Sequence, residues 1–233
     1  MNIIITGASK GIGYETVKQL AFDRKNTVIA MARTKTALEQ LQAECLRQNA
    51  QAKVFCFAFD LEKGDYKTLV SEIGKRISSV DVLVNNAGMF LGKAFEYITE
   101  AELLRTFNVN VFSVFKLTQQ LLPLMNHNSH IVNISSIGGM NGTAKFPGFS
   151  AYSSNKGALA ILTECLAEEL KSKGIVVNCL ALGAVQTEML EKAFPNFKAP
   201  VTAEQMAKFV TDFAKNGNKY FNGKVLPVSL STP

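Results

Sequence analysis

Thr6-Gly7-Ala8-Ser9-Lys10-Gly11-Ile12-Gly13 connects an apolar run at the start of the chain to a segment with helical periodicity. The glycine spacing, G-x-x-x-G-x-G, differs from the general dinucleotide fingerprint G-x-G-x-x-G but meets the same physical needs. We expect Gly7 to allow a tight turn, Gly11 to let the backbone approach a pyrophosphate, and Gly13 to bring the helix close to the sheet. The N–H groups of the helix N-terminus would then bind the phosphates. The alternative is a glycine-rich turn without a ligand.

Strand-like apolar runs alternate with segments of helical periodicity along the chain, and this alternation predicts an α/β fold. Several runs are almost continuous Val, Ile, Leu or Phe, which is typical of parallel strands buried on both faces. We predict one Rossmann-type, doubly wound domain over residues 1–233, with helices on both faces of a parallel sheet in strand order 3-2-1-4-5-6-7. The predicted strands are residues 3–6, 27–32, 53–59, 80–84, 130–134, 175–181 and 224–229.

The helical segments carry clear start signals. A long helix is predicted over 99–123, with Thr99 and Glu102 as a capping box, and the last helix begins at Thr202 with Gln205 as its capping partner. Further helices are predicted over 11–22 and 151–173. Residues 184–201 are expected to form a substrate-side loop, since ligands of such folds bind at the carboxyl ends of the strands.

The composition, 47% hydrophobic and 19% charged, indicates a large core. The formal charge is +6, but the lysines and arginines are scattered, so we expect no nucleic-acid partner. The apolar runs fall short of the about 20 residues that span a bilayer, and no leader pattern precedes the first strand. We therefore expect a cytoplasmic protein without a membrane partner.

Four cysteines and two histidines lack the close spacing of metal ligands, so no metal site is expected. Cys165 and Cys179 lie in apolar patterns and are predicted to be core thiols. His127 and His130 are predicted to lie in a solvated polar turn.

The second predicted strand ends at Met31-Ala32-Arg33, where a site that prefers NAD usually has an acidic residue for the ribose 2′-hydroxyl. Arg33, with Ser9 and Lys10, could instead hold a 2′-phosphate. The sequence therefore predicts NADPH over NADH. The alternative is that Arg33 and Lys10 are solvated surface charges.

Tyr152-Ser153-Ser154-Asn155-Lys156 places Tyr152 and Lys156 four residues apart, on one face of a predicted helix. An ammonium at ~4 Å in an effective dielectric of ~20 favours a phenolate by about 4 kcal/mol, enough to lower a tyrosine pKa by about two or three units. Tyr152 would then be a usable general acid or base. Such pairs also arise by chance on many helices.

Three further pieces accompany this pair. A predicted strand leads into Asn85-Asn86-Ala87-Gly88, another ends at Ser135-Ser136, and Asn110 lies in the long helix between them. With the glycine turn, Asp60, Asn178 and Thr187, these motifs resemble, in order, a short-chain dehydrogenase/reductase of the ordinary short type. The resemblance implies an oxidoreductase that uses NADP(H) to reduce a carbonyl to a secondary alcohol, or the reverse.

The resemblance also implies catalytic roles. Tyr152 would give the proton to the carbonyl oxygen, and Ser136 would stabilise the developing charge. Lys156 would bind the nicotinamide ribose and lower the pKa of Tyr152. Asn110 would hold a water that relays protons to Lys156. Alternate residues of a strand face opposite ways, so Ser135 and Ser136 should point to opposite faces of the sheet. The family pattern favours Ser136 as the acting hydroxyl, and Ser135 is the alternative.

The cofactor contacts implied by the resemblance run along the whole cleft. Asp60 would contact the adenine, and Val185 and Thr187 would fix the nicotinamide carboxamide. The full expected set is Gly7, Ser9, Lys10, Gly11, Ile12, Gly13, Arg33, Asp60, Leu61, Asn86, Ala87, Gly88, Tyr152, Lys156, Val185 and Thr187.

Two departures from the family pattern concern the substrate side. Leu182-Gly183 replaces the usual Pro-Gly, and the end of the chain lacks the closing Gly-Gly. Several large apolar residues suggest either an apolar substrate pocket or ordinary packing under a loop: Phe90, Met140, Phe146, Phe149, Met189, Leu190 and Phe194.

By analogy we expect a homodimer or homotetramer paired through the 99–123 and 151–173 helices, with a monomer as the alternative. The partner of the site would be a small carbonyl or alcohol. Two rival functions stay open: a non-catalytic NADP(H)-binding sensor or scaffold, and a methyltransferase of similar fold. The intact Asn-Ser-Tyr-Lys set argues against the sensor, since a binding protein needs no general acid. The Tyr-x-x-x-Lys pair and the missing acidic residue after the second strand argue against the methyltransferase.

Overall fold

The computed structural model describes residues 1–230, and its centre is a parallel sheet of seven strands. The strand order is β3-β2-β1-β4-β5-β6-β7, which confirms the predicted doubly wound arrangement. All six pairings are parallel. The strands are β1 (Asn2–Thr6), β2 (Thr27–Ala32), β3 (Lys53–Ala58), β4 (Val80–Asn85), β5 (Met125–Ser136), β6 (Val176–Leu182) and β7 (Val225–Val228).

Helices cover both faces of this sheet, as predicted. One apolar cluster packs α1, α2 and α8 against the sheet, and a second packs α3, α5 and α6 against the other face. In β1, Ile3 and Ile5 belong to the first cluster and Ile4 to the second, which is why the strand is apolar without alternation. The helices are α1 (Gly11–Phe22), α2 (Lys35–Gln48), α3 (Tyr66–Gly74), α4 (Glu100–Phe107), α5 (Ser113–Leu121), α6 (Ser150–Glu169), α7 (Glu188–Ala193) and α8 (Ala203–Asn216).

Both predicted capping boxes are present. Thr99 accepts from the Glu102 N–H at 3.3 Å, while the Glu102 carboxylate accepts from the Thr99 N–H at 2.9 Å. Thr202 and Gln205 repeat the arrangement at the start of α8. None of the helices in residues 1–230 is long and apolar enough to cross a membrane.

Two segments differ from the prediction. The long 99–123 helix is interrupted by a π-helical turn, Asn108–Phe112, between α4 and α5. The 184–201 segment is not all loop, because Thr187 caps the short helix α7 by accepting from the Leu190 N–H at 3.3 Å. A pattern of periodicity does not reveal the extra residue of a π turn, and a helix of one or two turns leaves little periodicity to detect.

The expectation of a solvated His130 is wrong. β5 starts earlier than predicted and buries this ring, whose Nδ1 donates to the Ala214 carbonyl at 3.0 Å and whose Nε2 accepts from Asn178 Nδ2 at 3.1 Å. Cys179 is buried as predicted, but Cys165 is exposed. Cys165 shares the outward face of α6 with Ile161, whereas Leu159, Thr163 and Ala167 face inward.

Candidate active site

The carboxyl ends of the central strands open into a cleft of about 360 Å³. This is the edge of the sheet at which ligands of doubly wound folds bind. Two predicted site residues, Gly13 and Asn110, do not line the cleft. The predicted residues that do line it are Gly7, Ser9, Lys10, Gly11, Ile12, Arg33, Asp60, Leu61, Asn86, Ala87, Gly88, Ser136, Tyr152, Lys156, Val185 and Thr187.

The glycine turn is packed against the residues that follow β4. Gly7 has a φ of +71°, and a Cβ there would lie 2.7 Å from Ala87 Cα. Asn86 Nδ2 donates to the Thr6 carbonyl at 2.9 Å and the Gly7 carbonyl at 3.3 Å. A Cβ on Gly13 would lie 2.5 Å from the Gly7 carbonyl oxygen. The missing side chain of Gly13 therefore lets α1 pack directly against the glycine turn at the end of β1. This agrees with the prediction that Gly13 brings the helix close to the sheet.

The first turn of α1 is open toward the cleft. No side chain caps its N-terminus, and the preceding residue Lys10 is extended, with a φ of −169°. Unpaired N–H groups at this position, next to glycines without side chains, suit the pyrophosphate of a dinucleotide. The residues present therefore fit the group that the sequence predicts.

Lys10 itself forms an ion pair with Glu188 on α7, across the cleft entrance. The pair holds the pKa of the Glu188 carboxyl below its usual value. Sequence reasoning missed Glu188, because its partner is 178 residues away and neither residue is buried. Thr187, beside Glu188, also approaches the glycine turn: its Cγ2 is 3.5 Å from the place of a Cβ on Gly11.

Arg33 is exposed at the end of β2 and makes no ion pair with any other residue in 1–230. Asp60, two residues after β3, accepts from the Glu62 N–H at 2.8 Å, which fixes its carboxylate at the cleft wall. The position that follows β2 thus carries a free guanidinium and no carboxylate.

Tyr152, in the first turn of α6, is half-buried and lies near Ser136 at the end of β5, whose hydroxyl accepts from the Gly138 N–H at 3.2 Å. The adjacent Ser135 is buried and donates to the Lys156 carbonyl at 2.8 Å. Ser135 therefore binds the α6 backbone, whereas Ser136 is the serine next to the Tyr152 hydroxyl.

Lys156 is buried one turn after Tyr152, and its Nζ donates to the Ile134 carbonyl at 2.8 Å. The predicted lowering of the Tyr152 pKa is wrong: burial raises this pKa, although the nearby Ser136 hydroxyl acts in the opposite direction. The Lys156 ammonium lies 5.9 Å from the centre of the phenol ring, and burial lowers its own pKa to about 8. Burial thus shifts the pKa of each group toward its neutral form.

Asn110 is fully buried in the π turn. Its Oδ1 accepts from the Met89 N–H at 2.7 Å, and its Nδ2 donates to the Met89 carbonyl at 2.9 Å and to Asn155 Oδ1 at 2.8 Å. Both N–H groups of the side-chain amide are thus used, and one lone pair of Oδ1 is left that could accept from a water. Asn155 Nδ2 is a buried donor that has no partner in the described part of the chain, so it marks a second place where a water could bind.

The family model described as short chain dehydrogenase matches residues 1–197. The 3-oxoacyl-[acyl-carrier-protein] reductase FabG of Thermotoga maritima is 31% identical, over 97% of this chain and 94% of the relative.

Two solved structures are similar over almost their whole length. A short-chain dehydrogenase/reductase from Serratia marcescens matches with a TM-score of 0.87 and 28% identity, over 97% of this chain and 95% of that one. RhlG of Pseudomonas aeruginosa, solved as an active-site complex with NADP, matches with a TM-score of 0.84 and 27% identity, over 98% of this chain and 94% of that one.

Proposed function

The chain is an oxidoreductase that belongs to the short-chain dehydrogenase family, and from this we propose that it reduces a carbonyl to a secondary alcohol with NADPH, or catalyses the reverse. The observation that carries the proposal is the Tyr152 hydroxyl, which lies in the cleft beside Ser136 and one helical turn from a buried lysine. NADPH, when bound, supplies the hydride.

The raised pKa of Tyr152 keeps the phenol protonated near neutral pH, which is the form that a proton donor needs. Ser136 is close enough to Tyr152 to donate to the same carbonyl oxygen and stabilise its developing negative charge. The Lys156 ammonium, in the buried layer beneath, favours the phenolate that remains. Oxidation of an alcohol starts from that phenolate, so a protonated Tyr152 favours reduction at neutral pH.

The cofactor preference for NADPH over NADH rests on the free guanidinium of Arg33, and the complex of RhlG with NADP supports it by analogy. Hydrogen bonds to a charged group contribute about 1.5–3 kcal/mol each. Arg33→Asp should therefore lower kcat/KM for NADPH at least about tenfold and leave NADH nearly unchanged. Lys25→Asp is the matched control, because it makes the same charge change just before the amino-terminal end of β2, away from the cleft. An equal loss in both variants would mean that only net charge matters.

A homodimer or homotetramer and a cytoplasmic location remain part of the proposal. Exposed apolar side chains on α4, α5 and α6 support the oligomer: Leu104, Phe115 and Ile161 are 49%, 51% and 61% exposed. Light scattering on the purified protein tests it, and a monomer at micromolar concentration would reject it.

The proposal as a whole is tested by a panel of neutral and charged carbonyls with NADPH absorbance as the readout, together with NADPH binding followed by its fluorescence. Turnover that Ser136→Ala and Tyr152→Phe remove, with NADPH binding kept, is the expected result. Tight NADPH binding without turnover of any carbonyl would favour the sensor or scaffold.

A further inference from the structure

Four phenylalanines form one wall of the cleft beside Tyr152. Phe90 follows β4, Phe146 and Phe149 lie between β5 and α6, and Phe194 follows α7. Each is only partly buried, so each presents ring surface to the cleft. We call this group the aromatic wall.

The rings of the aromatic wall are in mutual contact from the phenol outward. The Phe90 ring lies 5.3 Å from that of Tyr152 and 4.8 Å from that of Phe149, both edge-on. Phe194 then contacts Phe149 at 5.2 Å and Phe146 at 4.9 Å. Phe146 and Phe194 come from segments that are far apart in the chain, so this contact joins the loop after β5 to the end of α7.

The charged residues that line the cleft are separate from the four phenylalanines. They stand at the glycine turn, after β2 and β3, beneath Tyr152, and on α7: Lys10, Arg33, Asp60, Lys156 and Glu188. Lys10 is paired with Glu188, and Lys156 donates to a backbone carbonyl.

Two lysines close in sequence to the wall make contacts of their own. Lys145 Nζ donates to the Met140 carbonyl at 2.8 Å and to the Thr143 carbonyl and hydroxyl at 3.0 and 2.8 Å. Lys93 forms an ion pair with Glu102 at 2.8 Å. Lys192 and Lys198, before and after Phe194 in the chain, are exposed and carry no ion pair within the described part of the chain, but they do not line the cleft. Among residues 1–230, the cations that do line it are Lys10, Arg33 and Lys156, and none of them belongs to the segments that carry the aromatic wall.

We propose that the substrate is an uncharged ketone whose carbonyl carries an apolar group, best an aromatic ring, and not a keto acid or a phosphorylated sugar. This inference rests on the proposed function of the same site. A ring placed against Phe90, Phe149 and Phe194 would make edge-to-face contacts. A carboxylate in the same place would lose its water without gaining a partner, which costs several kcal/mol in general.

Three probes separate charge from ring contact. Ethyl benzoylformate and benzoylformate share the aryl ketone and differ in charge, while ethyl pyruvate keeps the neutral ester and lacks the ring. We expect kcat/KM with NADPH to be at least about a hundredfold higher for ethyl benzoylformate than for benzoylformate, and about tenfold higher than for ethyl pyruvate.

The ester and the acid differ in reactivity, so binding is measured as well. Calorimetric titration of each probe into the protein with saturating NADP⁺ reports affinity without turnover. If ethyl benzoylformate binds more tightly than both benzoylformate and ethyl pyruvate, the inference is supported even if no carbonyl is reduced. In that case only the proposed reaction fails. Equal binding of ester and acid, or preferred reduction of the acid, overturns the inference and leaves the proposed reaction intact.

The variant Phe194→Ala should raise KM for ethyl benzoylformate about tenfold, with a smaller change in kcat and little change for ethyl pyruvate. Phe194→Leu, which keeps the apolar bulk, should recover part of the loss. Phe22→Ala removes a ring that is 69% exposed at the end of α1 and is the matched control. An unchanged KM in Phe194→Ala, with NADPH binding intact, would exclude the wall as the substrate contact.

Discussion

Replacement of Gly13 by alanine tests how tightly the glycine turn is packed. The new Cβ would lie 2.5 Å from the Gly7 carbonyl oxygen and still closer to Asn86 Nδ2. Both neighbours are held, since Asn86 bonds the Thr6 and Gly7 carbonyls. To restore an ordinary contact, α1 would have to move by about 1 Å. Overpacking of this kind costs about 1–3 kcal/mol, and the better helix propensity of alanine returns about 1 kcal/mol.

Gly74→Ala is the matched control, because a Cβ on Gly74, the last residue of α3, would meet nothing within 4 Å. Gly74→Ala should stabilise the protein by about 0.5–1 kcal/mol, whereas Gly13→Ala should destabilise it by up to about 2 kcal/mol. Urea unfolding followed by circular dichroism measures this difference.

The movement of α1 in Gly13→Ala would also displace the helix N-terminus and the Asn86 amide from their positions at the cleft. NADPH should therefore bind Gly13→Ala about tenfold more weakly, measured by its fluorescence, and Gly74→Ala as tightly as the wild type. A Gly13→Ala protein that matches Gly74→Ala in stability and in NADPH affinity would refute the reasoning.

The remaining predictions concern a buried imidazole and the ion pair at the cleft entrance. Burial lowers the pKa of His130 from 6.5 to about 4, so the unfolded chain takes up a proton first as the pH falls. The free energy of unfolding should drop by roughly 2 kcal/mol between about pH 7.5 and about pH 5, and the drop should persist in His127→Gln, an exposed control, but vanish in His130→Gln. A pH dependence that survives in His130→Gln would assign it to other groups. Glu188→Gln removes a carboxylate from the cleft entrance and frees Lys10, so NADPH should bind about threefold more tightly, and the gain should shrink at high salt. Glu191→Gln, one turn along α7, serves as its control, and equal affinities in the two variants would contradict a role for the pair.

The sheet could be predicted from the sequence because its strands are buried on both faces. The run Thr27–Ala32 is apolar almost throughout and does not alternate with polar residues, which indicates a strand buried on both faces. Its bounds agree with the prediction. Helix α1, Gly11–Phe22, was equally well marked by the glycine turn before it.

Features that depend on distant partners could not be predicted. The Lys10–Glu188 pair joins residues that are far apart in the chain, and the environment of Lys156 depends on the Ile134 carbonyl of a different element. The local spacing of Tyr152 and Lys156 fixes their helix face but not the 5.9 Å separation or the burial that raises the phenol pKa. The sequence thus indicates which groups meet, while their protonation depends on the tertiary environment.

The most direct test of the account is the rate of a single turnover of ketone reduction by the NADPH-loaded protein, compared between wild type and Tyr152→Phe across pH. If Tyr152 gives the proton, its loss should slow the step about a thousandfold. The wild-type rate should fall as the pH rises through about 8, since Lys156 then loses the charge that stabilises the phenolate. A Tyr152→Phe protein that reduces the ketone at the wild-type rate while binding NADPH normally would contradict the account.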